Sequence, residues 1–326
     1  CYVLYPLTLM IIGKFYALPL QASDITPAVS IVISAYNEAH VIKKNIENKL
    51  NLNYPHDKLE IIVVSDASND GTDEIVKEFT NGCVRLIRQE PRQGKTAAIN
   101  NAVATAKSEI ICFADANSIW DKDALNKIIR NFADTKVGYV TGKMVYVNSA
   151  GNIIGDGCNT YMRYENKLRE LETQIGSIVG VDGGIDAVRK TLYEPMNPEL
   201  LPDFILPLKV VEKGYKVIYE SEAILKEESL SNTKDEFKMR VRVILRSLHA
   251  LWYMKHLLNP VKFKVFAWQL FSHKVLRYFV WTFMLLAFIT NLFLFNYGQI
   301  YSLMMYLQII FYILVILGVI SEKRDF

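Results

Sequence analysis

The sequence predicts an α/β fold with a mostly parallel sheet, and two observations support this class. Short apolar runs rich in Val and Ile alternate with stretches whose apolar residues recur at helical spacing. This alternation is typical of parallel strands joined by right-handed helical crossovers. Polar residues directly follow the apolar runs, at the edge where open parallel sheets bind their ligands. The predicted strands are residues 29–34, 59–65, 84–88 and 110–114.

The first three strands each lead into polar or glycine-bearing residues and then into a helix. The helical runs reach about residues 50, 79 and 106. Because the carboxyl ends of parallel strands meet at one edge, we expect the residues between strand and helix to line one crevice. They are Ala35, Tyr36 and Glu38 after the first strand, Asp66 after the second, and Gly94 and Lys95 after the third. For Lys95, a solvated helix start is the alternative interpretation.

The fourth strand ends in an acid, a small residue and an amide. Asp115 and Asn117 offer hard oxygen ligands of the kind that Mg²⁺ and Mn²⁺ prefer, and a divalent ion there would hold a diphosphate. The alternative is a strand followed by a helix N-cap, a position that Asn and Ser favour.

Several other site classes are excluded by missing motifs. The sequence has no GxxxxGK[ST] run and no GxGxxG after the first strand, which argues against a P-loop NTPase and a dinucleotide dehydrogenase. Its four cysteines form no CxxC pair and have no zinc-ligand spacing, so neither a disulfide framework nor a cysteine metal site is expected.

The alternation continues beyond the fourth strand. Residues 121–132 have helical spacing, 137–147 are extended, and 161–171 have the apolar spacing of a further helix. Next comes the pair Gly183 and Gly184, which permits close approach of the backbone to a ligand. A plain tight turn is the alternative interpretation of this pair.

Asp203 is a single acid in the otherwise apolar segment 201–207. Burial disfavours the ionised form and raises the pKa of a carboxyl, which suits a general base. A helix N-cap is the alternative, since 204–213 looks helical, and the two roles are compatible. His249 is the rival candidate for the base, although it lies in a segment that we assign to a membrane surface.

Four motifs in order and spacing carry a resemblance to a known family. They are the strand ending in Ala-Tyr-Asn-Glu38, the run Asp66-Ala-Ser-Asn-Asp-Gly-Thr72, the pair Gly94-Lys95, and Asp115-Ala-Asn117. Together they resemble the inverting family 2 glycosyltransferases, which have a GT-A fold. The resemblance is strong from residue 29 to 117 and continues less sharply to about residue 228.

The resemblance implies roles for these motifs. In the family, the first turn and the acid after the second strand cradle the base and ribose of a nucleotide-sugar, which here implies Ala35, Tyr36, Glu38 and Asp66. Gly94 and Lys95 would lie near the nucleotide. Asp115 would bind the divalent metal, Mg or Mn, on the sugar diphosphate.

The chain also departs from the family pattern. Asn117 stands where a second acid is usual, and because an amide carries less charge, metal affinity is expected to be weaker. Gly183 belongs to a segment that resembles the family's glycine-bearing turn beside donor sugar and acceptor. Asp203 matches the base position, with Pro202 replacing the preceding acid.

A basic segment follows the predicted catalytic domain. Residues 237–277 contain nine Lys and Arg and no Asp or Glu, with apolar residues and two Trp interleaved. Such a run reads as helices on anionic lipid, and nucleic-acid binding is the competing account of a basic run. The family's Gln-x-x-Arg-Trp motif, seen in processive synthases, is missing here. Arg240 or Arg242 would face the diphosphate instead.

Apolar stretches flank these regions. Residues 1–20 are interpreted as the tail of a transmembrane helix, because a complete span needs about 20 apolar residues. Residues 278–320 hold two uncharged runs and are predicted as a transmembrane hairpin, which makes nucleic acid an unexpected partner. With cations at both outer ends of the hairpin, the positive-inside rule predicts a cytoplasmic catalytic domain.

The sequence therefore predicts a four-part chain: residues 1–20, a GT-A catalytic domain at 27–230, basic interface helices at 236–277 and the hairpin at 278–320. The expected function is a membrane-anchored, inverting transfer from a nucleotide-sugar to a polysaccharide or glycolipid acceptor, in a bacterial inner or plasma membrane. The expected partners are the donor, a glycan or lipid-linked acceptor and membrane lipids. The alternatives are a processive exopolysaccharide synthase and a non-catalytic membrane scaffold.

Overall fold

The computed structural model describes residues 1–17, 19–80, 82–147, 157–228 and 233–322. The chain divides into two units, Cys1–Phe271 and Ser272–Phe326. Two points of the sequence interpretation lie outside the described residues: the end of the predicted catalytic domain at residue 230, and the cations Lys323 and Arg324 after the hairpin.

The first unit is built on one eight-stranded sheet with the order β3-β2-β1-β4-β7-β6-β8-β5. The strands are β1 Val29–Ala35, β2 Leu59–Asp66, β3 Val84–Gln89, β4 Ile110–Asp115, β5 Ile119–Trp120, β6 Val137–Val147, β7 Asp186–Arg189 and β8 Lys216–Glu228. Strands β3, β2, β1 and β4 run parallel, as the alternation predicts. β7 is antiparallel to both β4 and β6, and β5 is antiparallel to β8, so the sheet is mixed.

The helices of the first unit follow the strands closely. They are α1 Leu4–Tyr16, α2 Ile42–Leu50, α3 Thr72–Lys77, α4 Lys95–Thr105, α5 Ala124–Ile129, α6 Gly157–Ile175, α7 Pro202–Glu212, α8 Thr233–Tyr253 and α9 Pro260–Leu270. Two helices begin slightly earlier than the sequence predicts. α4 begins at Lys95 instead of Thr96, with Gly94 at its N-cap, and α7 begins at Pro202 instead of Phe204. Asp203 is therefore in the first turn of α7, and Leu201 is the N-cap.

The core lies against the parallel half of the sheet. β1 and β2 are buried on both faces: Ile31 and Ile61 are inaccessible on one face, and Val32 and Ile62 are 1% and 0% exposed on the other. Such near-continuous apolar strands are typical of parallel sheets covered on both sides. The result is a rigid platform whose strand ends hold the polar residues.

Helix α1 packs on α6 through one of its faces. Tyr5 and Leu9 are buried against Leu168, Leu171 and Ile175, and the opposite face of α1 exposes large apolar side chains. The packed face explains why this segment is part of the first unit.

The second unit contains α10 Leu276–Tyr278, α11 Val280–Leu294 and α12 Gln299–Glu322. Helices α11 and α12 contact each other, and Gln308 of α12 donates from Nε2 to the Met284 carbonyl oxygen at 2.8 Å. Among the described residues, one helix is long and apolar enough to cross a membrane, at Gln299–Gly318. The 15-residue α11 reaches that length only together with the bent helical segment before it, so the hairpin remains a prediction.

Candidate active site

The predicted crevice forms where the parallel strands end. β1 lies between β2 and β4, with Ala35 opposite Ser65 and Ser34 opposite Asp115. Asp66 and Asp115 are the last residues of β2 and β4. Since neighbouring parallel strands end together, these acids lie at one edge of the sheet.

Three charged residues from three separate elements meet at this edge, and we call them the Lys95–Asp115–Asp203 cluster. The Nζ of Lys95, at the start of α4, lies 2.7 Å from Asp115 Oδ1 and 3.1 Å from Asp203 Oδ2. Burial raises the pKa of Asp203, and the ammonium of Lys95 partly offsets that effect. Burial alone would lower the pKa of Lys95, but its two carboxylate partners more than compensate and raise it. The cluster is thus one cation shared by two acids.

The glycine pair lies against both acids of the cluster. Gly183 has φ +81°, and a Cβ there would lie 3.1 Å from Asp203 Oδ2. Gly184 has φ +75°, and a Cβ there would lie 3.7 Å from Asp115 Oδ2. Both positions need a left-handed backbone, which glycine adopts without steric cost. The turn is therefore tight, as one interpretation predicts, and it adjoins the cluster. Its approach to a ligand stays a prediction.

Asp182, the residue before this turn, is held by an ion pair whose two side chains are largely buried. Arg169 of α6 donates from both terminal nitrogens to the carboxylate of Asp182. Its guanidinium lies 5.9 Å from the ring of Tyr219. A bidentate pair of this kind fixes orientation as well as charge.

Polar side chains of α2 support the loop that follows β4. Asn45 donates from Nδ2 to the carbonyl oxygens of Asp115 and Ser118, at 3.0 and 2.9 Å. Lys49 is fully buried and donates from Nζ to the backbone carbonyl oxygen of Ser118 at 2.7 Å. The same Nζ lies 4.5 Å from the ring centroid of Trp120. Burial holds the pKa of Lys49 well below its usual range. These contacts set the backbone that carries Asp115 and Asn117.

Asn117 contacts an acid that sequence reasoning missed. Its Nδ2 donates to Oε1 of Glu227, on β8, at 3.1 Å. Burial, and then the charge of Asp115, raise the pKa of Glu227 to about 7. No strand is predicted from the sequence over Lys216–Glu228. Two short apolar runs in it, residues 217–219 and 223–225, are the signal that could have identified a strand ending in acids.

The acid after β2 is already engaged by the chain itself. Asp66 accepts hydrogen bonds from the backbone N of Gln93 at 2.8 Å and of Gly94 at 2.7 Å. Gln89 donates to it as well, from Nε2 at 2.7 Å. Asp66 thus shapes the turn before α4, and its contact with a nucleotide stays a prediction.

The turn after β1 is tied to the loop after β2. The backbone N of Asn37 donates to Ser68 Oγ at 3.1 Å, and that of Glu38 donates to Thr72 Oγ1 at 2.9 Å. Burial raises the pKa of Glu38. Tyr36 is exposed, and the guanidinium of Arg92 stacks 3.6 Å from its ring centroid. An exposed, cation-stacked ring next to Ala35 is a suitable platform for a planar ligand.

The two candidate arginines belong to helix α8 of the first unit. Arg240 and Arg242 are exposed side chains of α8. Neither belongs to the Lys95–Asp115–Asp203 cluster as defined above, and their role toward a diphosphate stays a prediction.

The donor set fits a hard divalent cation that is shared with a substrate. In the described part of the chain, no three His, Cys, Asp or Glu side chains are grouped to hold a metal by themselves. Mg²⁺ is commonly bound by one or two carboxylates together with substrate phosphates. Asp115 and the amide oxygen of Asn117 match that pattern, and Lys95 Nζ already places a positive charge beside Asp115.

Comparison with known proteins shows similarity to glycosyltransferases. The model of "Glycosyl transferase family 2" matches residues 30–193, half of the chain. Among curated relatives, "Probable glycosyltransferase YdaM" of Bacillus subtilis (strain 168) is 29% identical over 231 residues, 66% of this chain and 54% of that protein. The "Poly-beta-1,6-N-acetyl-D-glucosamine synthase" of Staphylococcus aureus (strain COL) is 26% identical over 60% of this chain and 49% of that protein. The chain thus spans about half the length of these relatives.

Solved structures share the fold. A mannosyltransferase from Pyrobaculum calidifontis, in complex with GDP-Man and Mn²⁺, superposes with a TM-score of 0.63 at 22% identity, covering 94% of this chain and 92% of that one. GalNAc-T7 with UDP, GalNAc and Mn²⁺ gives a TM-score of 0.51 at 18% identity, with 68% and 49% covered. The expected GT-A fold is therefore confirmed. The chain belongs to glycosyl transferase family 2, whose members transfer a sugar from a nucleotide-sugar.

Proposed function

We propose that this family 2 glycosyltransferase is a metal-dependent, inverting, membrane-anchored enzyme that acts on a polysaccharide or glycolipid acceptor. The observation that supports the proposal most is the Lys95–Asp115–Asp203 cluster. It joins a candidate base, a candidate metal ligand and a fixed cation at the ligand-binding edge of the sheet.

In the proposed reaction Asp203 is the general base. The acceptor hydroxyl oxygen attacks the anomeric carbon while the bond from that carbon to the diphosphate oxygen breaks, and the hydroxyl proton passes to an Asp203 oxygen. A single displacement inverts the anomeric configuration. Burial raises the pKa of Asp203, which improves it as a base, while the ammonium of Lys95 limits that rise.

The departing diphosphate needs positive charge. Asp115 and the amide oxygen of Asn117 would hold Mg²⁺ or Mn²⁺, which neutralises charge on the leaving group when bound. Lys95, 2.7 Å from Asp115, adds a fixed cation at the same place. The two superposed structures contain Mn²⁺ together with GDP-Man or UDP, which supports this assignment for the present chain.

The nucleoside would bind beside the turn after β1. Tyr36 offers an exposed ring for stacking, and Glu38 offers a carboxylate two residues further along. Asp66, at the end of the neighbouring strand β2, would act beside them while its carboxylate holds the turn before α4. Gly94 lies next to Asp66, bound to it through its backbone N. Gly183 would let the backbone approach the sugar beside Asp203, because it carries no Cβ.

Membrane attachment is the second part of the proposal. The large exposed apolar side chains of α8 include Leu245 and Trp252, and cations are interleaved with them. Such a surface is typical of helices on anionic lipid. With residues 1–20 and 278–320 in the bilayer, the catalytic domain at 27–230 would face the cytoplasm, and residues 236–277 would lie on the inner surface.

A processive exopolysaccharide synthase is the second candidate. The name of the Staphylococcus aureus relative, a polymer synthase, favours it. The missing Gln-x-x-Arg-Trp motif in α8 argues against it. The length of the product distinguishes the two candidates, since a single-transfer enzyme adds one sugar to each acceptor.

The proposed chemistry is tested by nucleoside diphosphate release from a panel of GDP- and UDP-sugars, with detergent-solubilised chain, an acceptor extract and Mn²⁺. Asp203→Asn and Asp115→Asn should each lose turnover while their thermal unfolding stays that of the wild type. Full turnover in either variant would refute that residue's role. A folded wild-type chain that turns over no donor would favour the non-catalytic scaffold.

A further inference from the structure

A second carboxylate lies beside the loop that carries Asp115 and Asn117. Glu227 is on β8, which pairs antiparallel with β5 so that Ile119 is opposite Lys226. The next residue along β8, Glu227, therefore adjoins the loop that precedes β5. This placement follows from backbone register alone.

The face of β8 that carries Glu227 is directed toward Asp115. Alternate residues of a strand point to the same side, so Leu225 and Glu227 share a face. A Cβ placed on Gly184 would lie 3.2 Å from Leu225 Cδ2 and 3.7 Å from Asp115 Oδ2. Leu225 thus packs over the glycine turn beside the cluster, and Glu227 follows it along the same edge.

The two carboxyl oxygens of Glu227 differ in their hydrogen bonding. Oε1 accepts a hydrogen bond from Asn117 Nδ2 at 3.1 Å. Oε2 is buried and has no hydrogen-bond partner among the residues that the structure describes. Buried polar atoms are nearly always paired, so an unpaired carboxylate oxygen beside a predicted cation site points to a ligand that completes it.

The contact with Asn117 also fixes the direction of its amide. Nδ2 of Asn117 is the atom that faces Oε1 of Glu227, with the amide nitrogen donating and the carboxyl oxygen accepting. The amide oxygen of Asn117 then lies on the other side, available as a ligand. Asn117 is held in place by Glu227, but it brings no charge of its own.

We propose that Glu227 is a further residue of the donor's divalent-cation site, and that it supplies the second carboxylate that position 117 lacks. Its Oε1 orients Asn117, and its Oε2 is a ligand oxygen for the cation. The inference rests on the proposed metal-dependent function, which it deepens by assigning the negative charge to β8 instead of to the loop after β4.

The test is Mn²⁺ binding by the full chain in detergent, followed by electron paramagnetic resonance with GDP present and, separately, with UDP. Glu227→Gln should weaken Mn²⁺ binding by about tenfold or more, as losses around metal ligands typically do. A glutamine oxygen still accepts the hydrogen bond from Asn117, so a purely structural role would leave Mn²⁺ binding unchanged. Glu228→Gln is the matched control, because it removes the same charge from the opposite face of β8, and it should bind as the wild type does.

A charge exchange sharpens the test. In the double variant Asn117→Asp/Glu227→Gln the carboxylate moves to position 117, and the glutamine NH₂ donates to it, so Mn²⁺ binding should recover. Recovery also shows that the loss in Glu227→Gln did not come from misfolding. Failure of the double variant to recover would overturn the inference.

The remaining outcomes separate this inference from the proposed function. If the wild type binds Mn²⁺ with nucleotide and Glu227→Gln binds it equally well, the inference fails and the metal-dependent function stands. If the wild type binds no Mn²⁺ with either nucleotide, the proposed metal dependence fails, and the role of Glu227 fails with it.

Discussion

Replacing Arg169 by Met should destabilise the catalytic unit strongly. The Arg169–Asp182 pair is bidentate, and its side chains are only 6% and 13% exposed. Removing the guanidinium leaves the Asp182 carboxylate poorly solvated and unpaired, which costs about 3–5 kcal/mol for a buried pair. For a domain of this size, each kcal/mol moves the unfolding midpoint by about 2–4 °C, so the midpoint should fall by roughly 10 °C.

The assay is thermal unfolding of the detergent-solubilised chain, followed by near-UV circular dichroism. Lys167→Met is the matched control: Lys167 lies on the same helix and pairs with Glu170, but these side chains are 62% and 38% exposed. Exposed pairs contribute about 0–1 kcal/mol, so the control should unfold near the wild-type midpoint. Arg169→Met/Asp182→Asn should recover much of the loss, because no charge is left unpaired. If Arg169→Met unfolds as Lys167→Met does, the reasoning about the pair is wrong.

Three further variants test other parts of the site. Asn45→Ala removes both hydrogen bonds to the loop after β4. We expect the affinity for Mn²⁺, measured by calorimetry, to fall by about tenfold. An unchanged affinity would contradict the role of Asn45 in supporting this loop. Lys95→Met should raise the pKa of Asp203, because the ammonium of Lys95 lowers that pKa. The acid limb of the pH profile of kcat/KM should therefore move to higher pH. A limb that stays in place or moves to lower pH would argue against Asp203 as the base. Gly183→Ala should lower kcat, because its Cβ would lie 3.1 Å from Asp203 Oδ2. Gly214→Ala is the control, since Gly214 has a similar positive φ but open space around it. Equal kcat values in the two variants would contradict a link between the glycine turn and the base.

The parallel half of the fold was predictable because its sequence signal is local. Strands β1, β2 and β4 are mostly apolar runs. Helices α2 and α3 follow β1 and β2, and α5 follows β4 after the two-residue strand β5. The antiparallel half was not predictable in this way. β7 has only four residues, and nothing in their chemistry states that the strand runs opposite to β4. β8 is partly charged, and it is stabilised by backbone pairing with β6 and β5.

The residues of the candidate site likewise fall into two groups, those predictable from local sequence and those that depend on tertiary structure. The strand-end rule brought Asp66 and Asp115 to one edge from sequence alone. The contact of Lys95 with Asp203 joins residues that are 108 positions apart. The sequence analysis did not predict it, because the resemblance implied only that Lys95 lies near the nucleotide and that Asp203 is the base. Glu227 was missed because its place beside Asn117 depends on the register of β5 against β8, a tertiary feature without a local motif.

The measurement that tests the central claim most directly is calorimetric binding of GDP- and UDP-sugars to the detergent-solubilised chain, with Mn²⁺ and with chelator. The account predicts that at least one donor binds with Mn²⁺, that chelator abolishes the binding, and that Asp115→Asn abolishes it as well. Donor binding that is indifferent both to chelator and to Asp115→Asn would contradict a metal-held diphosphate at the end of β4.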